Sequence, residues 1–108
     1  MLRGDIYWAD MDPATGREQS GRRPIVIISH DVFNERSGTV IAMAITGAAQ
    51  RAGYPLTWEV PPGVLPRPSW VKISHVRTLA AERLGTRLGR LEERDIQELV
   101  EALVQLVG

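Results

Sequence analysis

The sequence contains no cysteine and only two histidines, which lie in separate segments at His30 and His75. The absence of cysteine excludes disulfide bonds and cysteine-based metal sites, and it is typical of proteins from reducing compartments. No apolar run approaches the length needed to span a bilayer, and the first residues, MLRGDIYW, lack the apolar core of a signal peptide. The sequence therefore predicts a cytoplasmic protein that makes no contact with a membrane.

The common motifs for nucleotides and metals are also missing. There is no P-loop, no G-x-G-x-x-G after a strand, no H-E-x-x-H and no cluster of carboxylates. The sequence therefore predicts neither a cofactor nor a metal site. A chain of 108 residues is long enough to bury a real core, and residues 1–108 are predicted to form a single domain.

The net charge of zero hides an asymmetry along the chain. Residues 1–91 contain 12 basic and 8 acidic side chains, whereas residues 92–108 contain one basic and five acidic side chains. Every basic residue except Lys72 is arginine, whose planar guanidinium suits bidentate contacts with phosphate. A basic segment at 1–91 whose charge is offset by an acidic segment at 92–108 is typical of a protein that binds nucleic acid. The alternative is that a GC-rich genome enriches arginine without any such function.

Short extended segments dominate the first 91 residues. Strands are predicted where β-forming or continuously apolar residues are bounded by turn residues, at 5–10, 24–29, 39–46, 56–60, 69–76 and, more weakly, 86–90. The polar connection HDVFNERSG has room for one helical turn. The proline-rich stretch PPGVLPRP cannot join a hydrogen-bonded ladder and separates two of these strands.

The end of the chain, LEERDIQELVEALVQLVG, predicts the one long helix. Its acidic first turn complements the helix dipole, although no serine, threonine or aspartate caps it cleanly. The predicted fold is mainly β with a C-terminal helix (α+β), a small, strongly bent sheet or barrel on which the helix packs. The apolar stripe expected to face the sheet consists of Ile96, Leu99, Val100, Leu103, Leu106 and Val107.

Two adjacent arginines stand at the entrance of a buried strand. An unpaired arginine is costly to bury, so Arg22 and Arg23 require either water or an anion. Because a residue before proline is held extended, Arg23 has a defined direction of exit. Thr46 ends the next buried strand, and if the two strands are neighbours, Arg23 and Thr46 meet and can grip a phosphate. The alternative for Thr46 is a strand-ending hydroxyl that bonds its own backbone.

The histidines offer a second possible chemistry. His30 and His75 could act as an acid and base pair in RNA cleavage. The alternative is that one or both are ordinary surface residues.

The order of motifs closely resembles the MazF/PemK toxin family. The resemblance runs from Arg3 to the last helix through RGDIYWADMDPATGREQSGRRPIVIIS, then AIT, VRTL and RLGTRLGRL. It implies a homodimeric SH3-like β-barrel of the MazF/PemK/CcdB type. It also implies a metal-independent endoribonuclease of a type II toxin–antitoxin system, which cuts single-stranded RNA at short motifs and is neutralised by a cognate MazE-like antitoxin.

The resemblance also assigns residues. It places the catalytic pair of the family on Arg23 and Thr46. Ser20 stands where glycine is frequent in the family and His75 where glutamine is frequent, so base preference is expected to differ. Arg22 is at a position that varies in the family, and its expected role is a general attraction for phosphate. The residues expected to bind RNA are Glu18, Gln19, Arg22, His75, Arg77 and Thr78.

Two other functions fit the same type of fold. A CcdB-like inhibitor of gyrase depends on an aromatic C-terminal end, whereas this sequence ends in Leu106-Val107-Gly108. A non-catalytic RNA-binding barrel would not require both Arg23 and Thr46. Without a metal-activated water, the nearest nucleophile is the 2′-OH of the substrate, which predicts products with a 2′,3′-cyclic phosphate and a 5′-OH.

Overall fold

The computed structural model describes residues 1–11 and 21–108, and the strands within these ranges form a single sheet. Each neighbouring pair of strands is antiparallel, and the order across the sheet is β4-β5-β3-β2-β1-β6. In chain order the elements are β1 (Asp5–Asp10), β2 (Arg22–Ile27), α1 (Asp31–Ser37), β3 (Thr39–Thr46), β4 (Thr57–Glu59), β5 (Trp70–Ala80), a 3-10 turn (Ala81–Arg83), β6 (Leu84–Arg90) and α2 (Glu93–Val107).

The strands follow the sequence prediction closely, and β1 and β3 have the predicted bounds. β2 begins at Arg22 rather than at residue 24, because its first two residues pair with the end of β1. β5 continues to Ala80, which pairs with Thr39 at the start of β3. β6 begins early, at Leu84, opposite Ala9 of β1. In each case pairing with a neighbour extends a strand beyond its own β-forming residues.

Helix α1 has seven residues, where the sequence predicted a single turn. The reason is the buried side chain of Asn34, whose amide nitrogen donates hydrogen bonds to the carbonyl oxygens of Met1 at 3.1 Å and Ser29 at 3.3 Å. The amide oxygen of Asn34 accepts a hydrogen bond from the Ser29 hydroxyl. The contact with Met1 comes from a residue distant from the helix, and helical propensity does not reveal it.

The sheet is strongly curled rather than flat. Opposite the step from Met43 to Ala44 in β3, the pairing on β5 jumps from Val76 to Lys72, so that residues 73–75 form a bulge. Bulges bend a strand and increase its twist. As a result, the proline-rich segment between β4 and β5 (residues 61–68) reaches β6, at the other edge of the sheet. A Cβ on Gly89 of β6 would lie 2.9 Å from the carbonyl oxygen of Val64, a contact that only glycine allows.

Apolar side chains fill both faces of the sheet, as the double-sided apolar strands predicted. One face carries the larger core, which α2 covers with Ile96, Leu99 and Ala102. The other face carries a smaller cluster. Its members are Ala9, Met11, Ile25, Ile27, Val40, Ala42 and Leu79.

Most of the predicted stripe on α2 does pack on the sheet, but its last member does not. Val107 is 77% exposed, because the helix runs past the edge of the core, and Ala102 takes a buried place that the sequence did not predict. The helix is also capped, contrary to expectation: the carboxylate of Asp95 accepts a hydrogen bond from the backbone N–H of Glu92 at 3.1 Å. No helix in the described ranges is long and apolar enough to cross a membrane.

A buried carboxylate holds β1 against β6. Asp5 accepts hydrogen bonds from the backbone N–H of Leu2 at 3.0 Å, from Arg90 Nη1 at 2.7 Å and from Arg87 Nε at 3.2 Å. Burial raises the pKa of Asp5, but these hydrogen bonds and the positive charge of Arg87 outweigh it, and the net pKa lies below its ordinary value. Two of the arginines in the basic segment are therefore occupied in holding the sheet together.

Candidate active site

A pocket of about 500 Å³ opens where the ends of β2 and β3 meet the proline-rich segment. Strands β1 and β6 complete its wall, so residues from most of the length of the chain converge here. Its volume is within the range of sites that bind small molecules or single units of a polymer. The lining residues that matter for chemistry are Trp8, Arg22, Arg23, Thr46 and Arg67, with Leu88 as an apolar floor residue.

The register of β2 and β3 brings Arg23 and Thr46 together. Ile25 pairs with Ala44, and the same register continued by two residues sets Arg23 opposite Thr46. Side chains alternate along a strand, so Arg23 lies on the face of Ile25 and Thr46 on the face of Ala44. The two side chains therefore share one face at adjoining strand ends, and both line the pocket. The predicted meeting of the two strand ends is confirmed.

Arg23 is exposed at the pocket wall, immediately before Pro24. The proline restricts the backbone of Arg23 to extended conformations, which limits the directions its guanidinium can take. Within residues 1–11 and 21–108, no carboxylate forms an ion pair with it. The guanidinium is thus available to an anion entering the pocket.

Arg22 has a different environment, although it lines the same pocket. Its guanidinium carbon lies 5.7 Å from the ring centroid of Trp8, within the range of a cation–π contact. Gly85 of β6 leaves room for this arrangement, since a Cβ there would lie 3.1 Å from Arg22 Nη2. Arg22 is therefore a positive charge held above an aromatic face in the lining of the pocket.

Thr46 is half-buried at the end of β3, and its Oγ1 accepts a hydrogen bond from the backbone N–H of Ala48 at 3.2 Å. The local backbone bond considered as an alternative is therefore present. It does not exclude a role in the pocket, because it uses one acceptor position and leaves the hydroxyl proton free to donate. The bond instead fixes the position of the oxygen.

The structure adds two residues that the sequence analysis did not single out. Trp8 supplies an aromatic surface, and Arg67 brings a third guanidinium from the proline-rich segment. A signal for Arg67 was present in the sequence: like Arg23, it immediately precedes a proline.

The other predicted RNA contacts lie along β5, outside the pocket lining. Arg77 and Thr78 pair with Ala42 and Ile41, so they lie about 13 Å or more along β3 from Thr46. His75 is half-buried in the bulge of β5, where burial and then the charge of Lys72 lower its pKa below the ordinary value. A substrate that touches both regions must extend along the sheet.

Other predicted features lie elsewhere. Glu18 and Gln19 fall outside the described residues. His30 precedes α1 and lines a separate cavity with Arg3 and Glu93, so neither histidine lines the pocket that holds Arg23. In the described part of the chain, no three histidine, aspartate or glutamate side chains are grouped closely enough to hold a metal ion.

The fold and the pocket together define a small curled β-sheet protein in which arginine side chains and a hydroxyl converge at strand ends. The family described as PemK-like, MazF-like toxins of type II toxin–antitoxin systems matches residues 2–107. The chain belongs to this family.

Individual relatives agree with this assignment. The endoribonuclease MazF of Staphylococcus saprophyticus is 39% identical over 105 residues, which cover 95% of this chain and 88% of the relative. The crystal structure of MazF from Deinococcus radiodurans has a TM-score of 0.86 and is 28% identical in sequence. The match covers 100% of this chain and 96% of the Deinococcus chain. The structure of a mycobacterial endoribonuclease in complex with its cognate antitoxin has a TM-score of 0.80 and is 25% identical in sequence. The match covers 100% of this chain and 95% of the mycobacterial chain. The predicted fold, mainly β with a C-terminal helix and of the MazF type, is confirmed.

Proposed function

We propose that this toxin is an endoribonuclease that cuts single-stranded RNA, mRNA foremost, at short sequence motifs and thereby inhibits translation and growth. The observation that carries the proposal is the convergence of Arg23 and Thr46 on one pocket through the register of β2 and β3. The name of the staphylococcal relative supports the same activity. The proposal assigns residues 1–108 to one toxin domain that acts in the cytoplasm.

The chemistry follows from the groups that line the pocket. The 2′-oxygen of the ribose attacks the adjacent phosphorus, the bond to the 5′-oxygen breaks, and a 2′,3′-cyclic phosphate and a 5′-OH remain. The 2′-OH loses its proton to water or a neighbouring base, and the leaving 5′-oxygen gains one. No metal ion takes part.

Arg23 and Thr46 stabilise this transition state in different ways. The guanidinium of Arg23 donates hydrogen bonds to the non-bridging oxygens as negative charge builds up on the phosphate. A guanidinium holds its protons too tightly to act as a base, so the role of Arg23 is electrostatic. The Thr46 hydroxyl, fixed by its bond from Ala48, donates its proton to a phosphate oxygen or orients the 2′-OH.

Two macromolecular partners complete the proposal. The toxin forms a homodimer, in which two shallow pockets combine into a groove deep enough to hold an RNA strand. A cognate MazE-like antitoxin neutralises it, as the mycobacterial complex suggests for a relative. Sedimentation that shows only monomer at micromolar concentration contradicts the dimer.

Two RNA substrates and three variants test the activity. Wild-type protein is expected to cut a mapped target strand in excess EDTA, and a single 2′-deoxy sugar immediately 5′ of the cut site is expected to block cleavage. Arg23→Ala and Thr46→Ala are each expected to lower the single-turnover rate by at least about a hundredfold, the range for loss of one transition-state donor. Thr46→Ser keeps the hydroxyl and serves as the matched control. Cleavage of the 2′-deoxy strand, or full activity of Thr46→Ala, contradicts the mechanism.

A further inference from the structure

Arg67 lies between two prolines in a chain segment that is otherwise apolar and faces the pocket. Pro66 fixes its own φ, and Pro68 restricts Arg67 to extended conformations. The hydroxyl of Ser69 donates a hydrogen bond to the carbonyl oxygen of Arg67 at 3.0 Å. The backbone that carries this guanidinium is therefore held in place before any ligand arrives, at little further cost in conformational entropy.

The segment that carries Arg67 is also braced from behind. The carbonyl of Val64 approaches Gly89 of β6, and the side chain of Leu65 lies 3.9 Å from the position that a Cβ on Gly89 would occupy. Leu65 and Leu88 line the pocket from the two sides of this contact. Arg67 is thus attached to a fixed wall rather than to a free loop.

The charge of Arg67 is not neutralised by the described part of the protein. Four other arginines are paired with carboxylates: Arg3 with Glu93, Arg94 with Glu92, and both Arg87 and Arg90 with Asp5. Within residues 1–11 and 21–108, Arg67 and Arg23 form no such pair, and both line the one pocket. Arg22 also lines the pocket, but its guanidinium lies over the ring of Trp8. The positive charges of Arg23 and Arg67 in about 500 Å³ repel each other until anions enter, and two consecutive phosphates of a strand provide one anion for each.

We propose that Arg67 is a substrate-binding residue that contacts the RNA phosphate next to the one that is cleaved. The inference rests on the proposed ribonuclease function and extends it by assigning a second phosphate site to the proline-rich segment. Arg67 acts in the ground state and the transition state alike, so it sets KM and the register of the strand in the pocket. Arg23, by contrast, acts on the reacting phosphate and sets kcat.

The test compares Arg67→Ala with Arg36→Ala, which removes the same charge from α1 at the other end of β3. Binding is measured with a target strand that carries one 2′-deoxy sugar at the cut site, and cleavage is measured with the all-ribose strand. Arg67→Ala is expected to weaken binding and raise KM roughly tenfold, with kcat changed less than about twofold. Its plot of log affinity against log salt is expected to be shallower by about 0.7, the value for one lost phosphate contact on a single strand. Arg36→Ala is expected to match the wild type.

A second variant tests the geometry of the contact. Arg67→Lys keeps the charge but loses the bidentate fork, and it is expected to recover the salt slope but only part of the affinity. If the wild type cleaves RNA and Arg67→Ala has the KM and salt slope of Arg36→Ala, the second phosphate site is refuted while the ribonuclease function stands. A large fall in kcat with unchanged KM also overturns it, because that pattern belongs to a transition-state residue. If the wild type does not cleave RNA at all, the failure lies in the proposed function.

Discussion

Replacing Gly89 by alanine should damage both stability and substrate binding, because this glycine is the point at which the proline-rich segment touches β6. The new Cβ would lie 2.9 Å from the carbonyl oxygen of Val64, whereas ordinary contact begins at 3.4 Å. The obstacle is backbone next to prolines, so it cannot swing away as a side-chain end would. The wall of the pocket that carries Arg67 has to move outward instead.

The magnitude follows from two opposing effects. Overpacking of this kind typically costs about 1–3 kcal/mol of unfolding free energy. Alanine also reduces the entropy of the unfolded chain, which returns about 0.4–1 kcal/mol. The net loss is about 1 kcal/mol, equivalent to a fall in Tm of roughly 4–8 °C for a domain of this size. Urea unfolding followed by tryptophan fluorescence measures the free energy, and cleavage kinetics measure KM.

Gly47→Ala is the matched control for stability, since a Cβ there meets no atom within 4 Å. It is expected to be neutral or slightly stabilising. Gly89→Ala is expected to raise KM, because Arg67 is displaced, with a smaller effect on kcat. If Gly89→Ala is as stable as Gly47→Ala and has the wild-type KM, the proline-rich segment is not braced against β6 and the reasoning fails.

Three further predictions concern titration and charge. The folded-state pKa of Asp5 is lowered, so its contribution to stability is complete above the unfolded pKa of about 3.9 and is lost as pH falls through the folded pKa. Asp5→Asn should therefore lower the urea midpoint at pH 7, and the urea midpoint of this variant should fall less than that of the wild type between pH 7 and pH 3. Because the pKa of His75 is lowered, its imidazole is neutral at pH 7. His75→Ala should alter the sequence pattern of mapped cuts without lowering kcat. A loss of cleavage with intact RNA binding would instead support the mechanism in which the histidines act as acid and base. Arg77→Ala should weaken RNA binding and make its salt slope shallower by about 0.7, and an unchanged slope measured by fluorescence anisotropy would remove Arg77 from the RNA-binding set.

The parts of the fold that could be predicted from the sequence are those set by local pattern. β1 and β3 have bounds that follow from continuous apolar or β-forming residues between turns, and α2 follows from its periodicity. The meeting of Arg23 and Thr46 was also predictable, because successive buried strands tend to pair. Their roles in catalysis remain predictions.

What could not be predicted depends on contacts between distant segments. Nothing local to α1 reveals that the side chain of Asn34 would be buried and bonded to the carbonyl oxygen of Met1, at the start of the chain. The bulge at residues 73–75 is a property of the pairing between β3 and β5, not of either sequence alone. Arg67 lines the pocket only because the bend of the sheet at this bulge brings the proline-rich segment next to β6.

The contact between the proline-rich segment and β6 also decides when the protein becomes dangerous to the cell that makes it. The pocket draws on Trp8 near one end of the chain and Leu88 near the other, so a ribosome must release nearly the whole polypeptide before the walls can meet. Closing such long loops is the slow part of folding a β-rich protein. Nascent, truncated or locally unfolded chains would carry Arg23 and Thr46 without an enclosing site. Under the proposed mechanism, toxicity is confined to the finished molecule, and the interval before closure is time in which an antitoxin can bind.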